Sequence, residues 1–223
     1  FEDCNYALML ENILRSSFSN QGQICLCSSR LLIERTIYEK FKNDLSLKVS
    51  ELLIGDPSKT ETQFGSISSK GHFDKVVSYI DMVKEEGGKI IAGGKSVKLE
   101  GRCSNGWFIE PTLVEGLSPS SRLNQEEIFG PVVTLQSFET ESEAIDLANN
   151  TDYGLSATVW TKDLEKGQRV SKKIDAGVIW INCWLLRDLR TPFGGMKNSG
   201  LGREGGDDAI KFFTEQKNIC IPV

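Results

Sequence analysis

Histidine is nearly missing from this chain of 223 residues: His72 is the only one. No second cysteine pair stands at ligand spacing either, so zinc-type centres built from Cys and His are excluded and no metal is expected. Long apolar runs are missing too. Segments such as Leu31-Leu32-Ile33 and Val178-Ile179-Trp180-Ile181 are far too short to span a bilayer. No basic block occurs, because 26 Lys and Arg are dispersed among 31 acidic residues for a net charge of −5. That balance argues against nucleic acid as a partner and favours a small-molecule substrate. There is no repeat, no low-complexity tract and no signal peptide. Six irregularly spaced cysteines in such a chain are read as free thiols in a reducing, cytoplasmic setting. The opening Phe1-Glu2-Asp3 has neither an initiator Met nor a targeting segment, and the chain is expected to be a piece of something longer.

What is present alternates between helical and strand periodicity. Apolar residues at three- and four-residue spacing predict helices over 7–18, 36–52, 68–86, 140–150 and 163–175. Short β-rich runs predict strands at Arg30–Glu34, Lys89–Ala92, Phe108–Val114, Val132–Phe138, Ala157–Trp160 and Val178–Ile181. The expected fold is α/β, a mainly parallel sheet with helices on both faces. Lys95–Gly106 reads as a surface excursion. Glu215–Val223 resembles a strand with nothing after it, suited to pairing outside this core.

The strongest chemical signal is Phe18-Ser19-Asn20-Gln21-Gly22-Gln23-Ile24-Cys25, a cysteine behind a glycine in a polar turn between helix and strand. A lone cysteine is usually a buried hydrophobe, but this setting offers amides able to stabilise a thiolate and a developing oxyanion, and Cys25 is taken as a nucleophile. Cys27 is a packing residue or a resolving thiol. His72 is a surface histidine or one half of a Cys–His dyad. Glu126-Glu127, ahead of Ile128-Phe129-Gly130-Pro131, is a solvated acidic turn or a clamp for paired sugar hydroxyls beside a flat ring. The glycine-rich stretch 182–206 fits neither a Walker loop nor a dinucleotide fingerprint, and reads as a substrate-side loop with hinge glycines.

Three motifs in this order resemble the aldehyde dehydrogenase superfamily along the whole chain. They are Phe18-x-x-x-Gly22-Gln23-x-Cys25, Glu126-Glu127-Ile128-Phe129-Gly130-Pro131, and Pro192-Phe193-Gly194-Gly195-x-Lys197-x-Ser199-Gly200-x-Gly202-Arg203-Glu204. The resemblance implies Cys25 as the nucleophile, with its backbone N–H as half of an oxyanion hole. It implies that Glu127 holds the nicotinamide ribose of NAD or NADP, with Phe129 near the cofactor. Asn182-Cys183-Trp184-Leu185-Leu186-Arg187-Asp188-Leu189-Arg190 resembles the 2-aminomuconate and 2-hydroxymuconate semialdehyde dehydrogenases. There Arg187, with Phe193, would bind a substrate carrying a carboxylate at its far end. The same resemblance implies a catalytic domain over 1–212, an oligomerisation strand over 213–223 and a homo-oligomer. It also implies that the nucleotide-binding domain, the general-base glutamate and the second oxyanion donor are absent from this chain, which alone should oxidise aldehydes poorly. Two competing functions stand beside it: a cofactor-independent thiol esterase, and a structural module that adds its last strand to another subunit.

Overall fold

The computed structural model describes residues 1–222. Its elements in chain order are α1 (Tyr6–Phe18), β1 (Arg30–Glu34), α2 (Arg35–Ser50), α3 (Lys70–Glu85), β2 (Lys89–Ala92), β3 (Ser96–Val97), β4 (Phe108–Ile109) and β5 (Thr112–Glu115). There follow α4 (Arg122–Gln125), β6 (Val132–Phe138), α5 (Glu141–Asn149), β7 (Tyr153–Gly154), β8 (Ser156–Val159), α6 (Leu164–Ser171), β9 (Val178–Ile181), β10 (Met196–Lys197) and α7 (Gly206–Phe213). Short polar side chains set the helix starts. Asn5, Ser69, Thr140 and Asp163 each accept a hydrogen bond from a backbone N–H of the first turn that follows.

The main sheet has the order β1-β6-β5-β2, with β1–β6 and β5–β6 parallel and β2 antiparallel at the edge. β6 is buried at six of its seven positions, as a central parallel strand covered on both faces should be. Period-2 alternation sends Leu31 and Ile33 into a core shared with Phe41 and Leu45 of α2. The opposite face of β1 meets α5, where the Arg30 guanidinium donates to the carbonyls of Leu147 and Ala148. The mainly parallel α/β architecture read from the sequence is therefore the architecture of the chain.

Three details depart from the expected elements. The run 108–114 is two strands, because Pro111 lacks an N–H to continue a ladder; β4 pairs with β3 and β5 joins the main sheet. The helix expected to reach 175 ends at Ser171 in a series of turns. The sheet is also in two pieces, since β8 and β9 form their own parallel pair. α7, inside a region read as loop and tail, is helical with its apolar side chains Ile210, Phe212 and Phe213 exposed. Residues 214–222 form no strand within the chain and are exposed; Val223 lies outside the described residues.

Candidate active site

After α1 the chain turns through three successive left-handed residues, Asn20 (φ 50°), Gln21 (φ 57°) and Gly22 (φ 70°). For a residue with a Cβ such a conformation costs about 1–2 kcal/mol. Glycine is needed at the third position for a second reason: a Cβ on Gly22 would lie 2.2 Å from the carbonyl oxygen of Gly130. Crossed amide bonds between Asn20 and Gln23 brace the turn, and Gln23 Oε1 accepts from the Ser68 N–H at 3.0 Å. A second tight turn, closed by the Cys27 N–H on the Ile24 carbonyl at 2.9 Å, then presents Cys25 to solvent between half-buried Ile24 and buried Leu26. The Cys25 amide has no acceptor among the described residues.

Cys27 is placed differently. It is half-buried, its thiol points at the Ser19 carbonyl oxygen at 3.7 Å, and burial pushes its pKa up to about 11. A thiol so protonated packs and does not attack.

The close approach at Gly22 joins this turn to the segment 126–130, and that segment is held by one face of α3. Positions 72, 75, 76 and 79 follow the three- and four-residue spacing that aligns side chains on a helix. His72 Nε2 lies 2.6 Å from the Phe129 carbonyl oxygen, and Lys75 Nζ donates to the Glu127 carbonyl at 2.7 Å. Val76 is seated where a Cβ on Gly130 would lie 2.6 Å away, and the Tyr79 hydroxyl donates to Glu126 Oε2. Phe129 itself is left-handed (φ 59°), a conformation that the His72 contact supports.

The two adjacent glutamates thereby take separate tasks. Arg122 grips the Glu126 carboxylate with two bonds of 2.7 and 3.0 Å. Those bonds and the Tyr79 hydroxyl hold its pKa down at about 2. The Glu127 side chain is exposed, and the Phe129 ring turns outward beside it, 37% exposed. His72 is engaged at Phe129, and no hydrogen bond joins it to Cys25, so the dyad reading is not the arrangement observed.

On the other side of Cys25, Ile24 and Leu26 pack in one apolar cluster with Trp180, Trp184 and Phe193. Trp184 Nε1 ties it to the thiol turn through the Leu26 carbonyl at 3.0 Å. The loop carrying Phe193 is closed by paired backbone bonds between Phe193 and Glu204, of 2.8 and 2.7 Å. The Arg187 guanidinium lies over the Phe193 ring, 4.4 Å from its centroid, with Glu204 Oε1 3.8 Å from Nη2.

Cys25, Phe193 and Arg187 thus come together on one side, and the Glu127–Phe129 segment meets the thiol turn on the other. Sequence reasoning did not single out Lys75, Tyr79, Arg122 or Trp184. The signal for the first two was present as the helical spacing from His72. Among the described residues no group of three or more His, Cys, Asp and Glu is arranged to hold a metal ion. No helix is long and apolar enough to cross a membrane.

Known proteins share this arrangement. The chain is 44% identical over 223 residues to a 2-aminomuconic 6-semialdehyde dehydrogenase of a Pseudomonas species, covering 100% of this chain and 45% of that protein. It is 41% identical over 221 residues to the 2-hydroxymuconic semialdehyde dehydrogenase of Pseudomonas sp. strain CF600, covering 99% and 46%. Among solved structures, betaine aldehyde dehydrogenase of Staphylococcus aureus in complex with NAD+ superposes with a TM-score of 0.91 at 38% identity, over 96% of this chain and 42% of that one. The chain spans under half the length of these relatives. The model of the aldehyde dehydrogenase family matches residues 1–219, so the three motifs and the fold that gathers them have one source: the chain belongs to the aldehyde dehydrogenase family.

Proposed function

We propose that this chain is the catalytic portion of an NAD(P)-dependent aldehyde dehydrogenase whose substrate is a semialdehyde bearing a carboxylate. One observation carries the reading: Gly22 seats the thiol turn directly on Gly130 of the segment that exposes Glu127 and Phe129. A nucleophile and a candidate ribose clamp are therefore built as one unit.

Cys25 supplies the sulfur that adds to the aldehyde carbon, and its unpaired amide donates to the oxygen that becomes negative. The thiohemiacetal becomes a thioester when its carbon gives up hydride, and water then cleaves the C–S bond, releasing the acid and restoring the thiol. The residues fit a dinucleotide. Glu126 is committed to Arg122 and Tyr79, which leaves Glu127 free to accept from two ribose hydroxyls, with the Phe129 ring beside it. A bound nicotinamide supplies the hydride acceptor. Arg187, planar and multiply donating above Phe193, is suited to the far carboxylate. The chain's own residues supply one oxyanion donor, and a missing second typically costs about 10²–10³ in rate, so alone it should oxidise aldehydes poorly.

The test begins with acyl transfer. A nitrophenyl ester should acylate Cys25, located by peptide mass spectrometry, and Cys25→Ser should abolish the adduct; acylation elsewhere, or none, rejects the nucleophile. In dehydrogenase assays, Arg187→Ala should raise KM for an acidic semialdehyde far more than for a neutral aldehyde. Equal effects would remove the carboxylate reading. Acylation followed by turnover without NAD would instead favour the esterase.

The exposed apolar residues of α7, with Ile219 and Ile221 of the tail, support a homo-oligomer in which residues 213–223 pair with a second copy. Deleting 215–223 should lower the mass measured by light scattering, and an unchanged mass would reject that role. Six unpaired thiols suit a reducing, cytoplasmic setting.

A further inference from the structure

The break in the sheet is a formed space. Between β1 and β8 lies a cavity of about 490 Å³ lined by residues 28–33 on one wall and 155–160 on the other. Met9, Ile13 and Phe41 of α1 and α2 cover one face, and Ala148, Val170 and Ile174 close the other. Each wall is a strand with a ladder on one side only: β1 bonds β6, and β8 bonds β9. In a parallel ladder, alternate residues turn both peptide groups toward the same neighbour. The carbonyl of Ser29 accepts from Thr134 on β6, and those of Leu155 and Val159 accept from Val178 and Asn182 on the β9 side. Arg30 and Leu32 of β1, and Ser156 and Thr158 of β8, therefore direct their peptide groups into the slot. Buried peptide groups rarely lack partners, and hydrocarbon alone cannot satisfy them.

The first residues of the chain show the direction of what fits. The Phe1 nitrogen donates to the Trp160 carbonyl at 3.0 Å, and the Glu2 N–H donates to Glu34 Oε2 at 2.6 Å. Phe1 and Glu2 thus sit where β8 and β1 both end. A segment running through the slot into Phe1 is parallel to both walls. Burial pushes the Phe1 ammonium pKa below its ordinary value, a charge penalty that a peptide N–H making the same bond to Trp160 does not carry. Both faces are roofed by apolar side chains, so the occupant must be apolar on both faces. β1 has five residues, which sets its length.

We infer that the β1–β8 slot is a strand-acceptor site for an extended, aliphatic segment of about five residues leading into Phe1, which would join the two sheets as β2-β5-β6-β1-segment-β8-β9. The inference does not depend on the dehydrogenase reading.

The test compares the 223-residue chain with two extended forms, one carrying Lys-Val-Ile-Val-Ile-Val ahead of Phe1 and one with prolines at alternate positions of the same extension. Amide exchange is followed by NMR. With the aliphatic extension, the N–H groups of Leu32, Thr158 and Trp160 should gain at least about tenfold protection and Tm should rise by about 5 °C. The amides of Leu31, Ile33, Ala157 and Val159, already in ladders, should change least. The proline form should show neither gain. Thr158→Pro removes a slot-facing N–H without touching the β9 ladder, and should cut the Tm gain of the extended chain while leaving the unextended chain nearly unchanged. Equal protection from both extensions, or no gain at Leu32 and Thr158 from the aliphatic one, would overturn the assignment.

Discussion

Two aromatic populations divide the molecule. Phe41 and Phe64 beneath the main sheet are 2% and 1% exposed, whereas Phe212 and Phe213 of α7 are 77% and 81% exposed. Before β9, burial is dictated inside the chain. Beyond residue 200, residues 206–222 keep no buried apolar side chain of their own. The thiol turn and the Glu127–Phe129 segment are anchored in the first region, while Arg187 stands on a loop that leads to the second. Positioning of the chemistry is thus tied to folding, and selectivity and assembly are not. The largest effect should expose that division. Phe41→Ala should lower stability by about 3–5 kcal/mol, while Phe212→Ala should stay within about 0.5 kcal/mol in a monomeric sample, both measured by urea denaturation. Comparable losses at the two sites would break the comparison.

Gly22→Ala carries the division into the site itself. A Cβ would meet the Gly130 carbonyl at 2.2 Å and its backbone would stay at φ 70°, so the expected loss is about 3 kcal/mol. Acylation of Cys25 should fall together with stability, because the turn and the segment it rests on move as one. A variant with normal stability and slow acylation would show that turn and fold are separable.

Much of this was legible beforehand, for identifiable reasons. Helices α1, α2 and α3 and strands β1, β2, β6 and β9 follow from local apolar period, which tertiary packing did not override. Cys25 was legible because left-handed turns, a glycine and a reactive side chain coincide within six residues. The stapling of 126–130 by α3 was not, because it joins residues about fifty apart and two of its bonds go to backbone carbonyls that no side-chain pattern encodes. α7 was hidden by the glycines around it, and the split of the sheet by the fact that each strand reads the same whether or not its neighbour is present.

Glu126 gives a smaller test, confined to pH. Its carboxyl titrates at about 2 in the folded chain against an ordinary 4.5. A depressed carboxylate stabilises above its unfolded pKa and loses that contribution as pH falls through its folded one. The side chain is 40% exposed, so solvent screening holds the contribution to about 1 kcal/mol or less. The urea midpoint of the parent should exceed that of Glu126→Gln at pH 6, and the difference should shrink steadily between pH 4.5 and 2. A constant difference across that window would show that packing, not the ion pair with Arg122, holds the segment.

The smallest effect tests the loop side. Iodoacetate and iodoacetamide alkylate the same thiol and differ by one negative charge. Arg187 is a cation on the Phe193 platform, which packs against both neighbours of Cys25, so it should favour the anionic reagent. At low salt, Arg187→Ala should lower the ratio of the two rates at Cys25 by about threefold, roughly what one unit charge contributes at this range in a partly aqueous site. Added salt should shrink the effect. Glu204→Gln should move the ratio the other way, since it removes the carboxylate 3.8 Å from that guanidinium. Neither variant should shift the urea midpoint appreciably, because both side chains lie outside the buried region. An unchanged ratio in both would place Arg187 out of electrostatic reach of the thiol and leave the carboxylate preference without a physical cause.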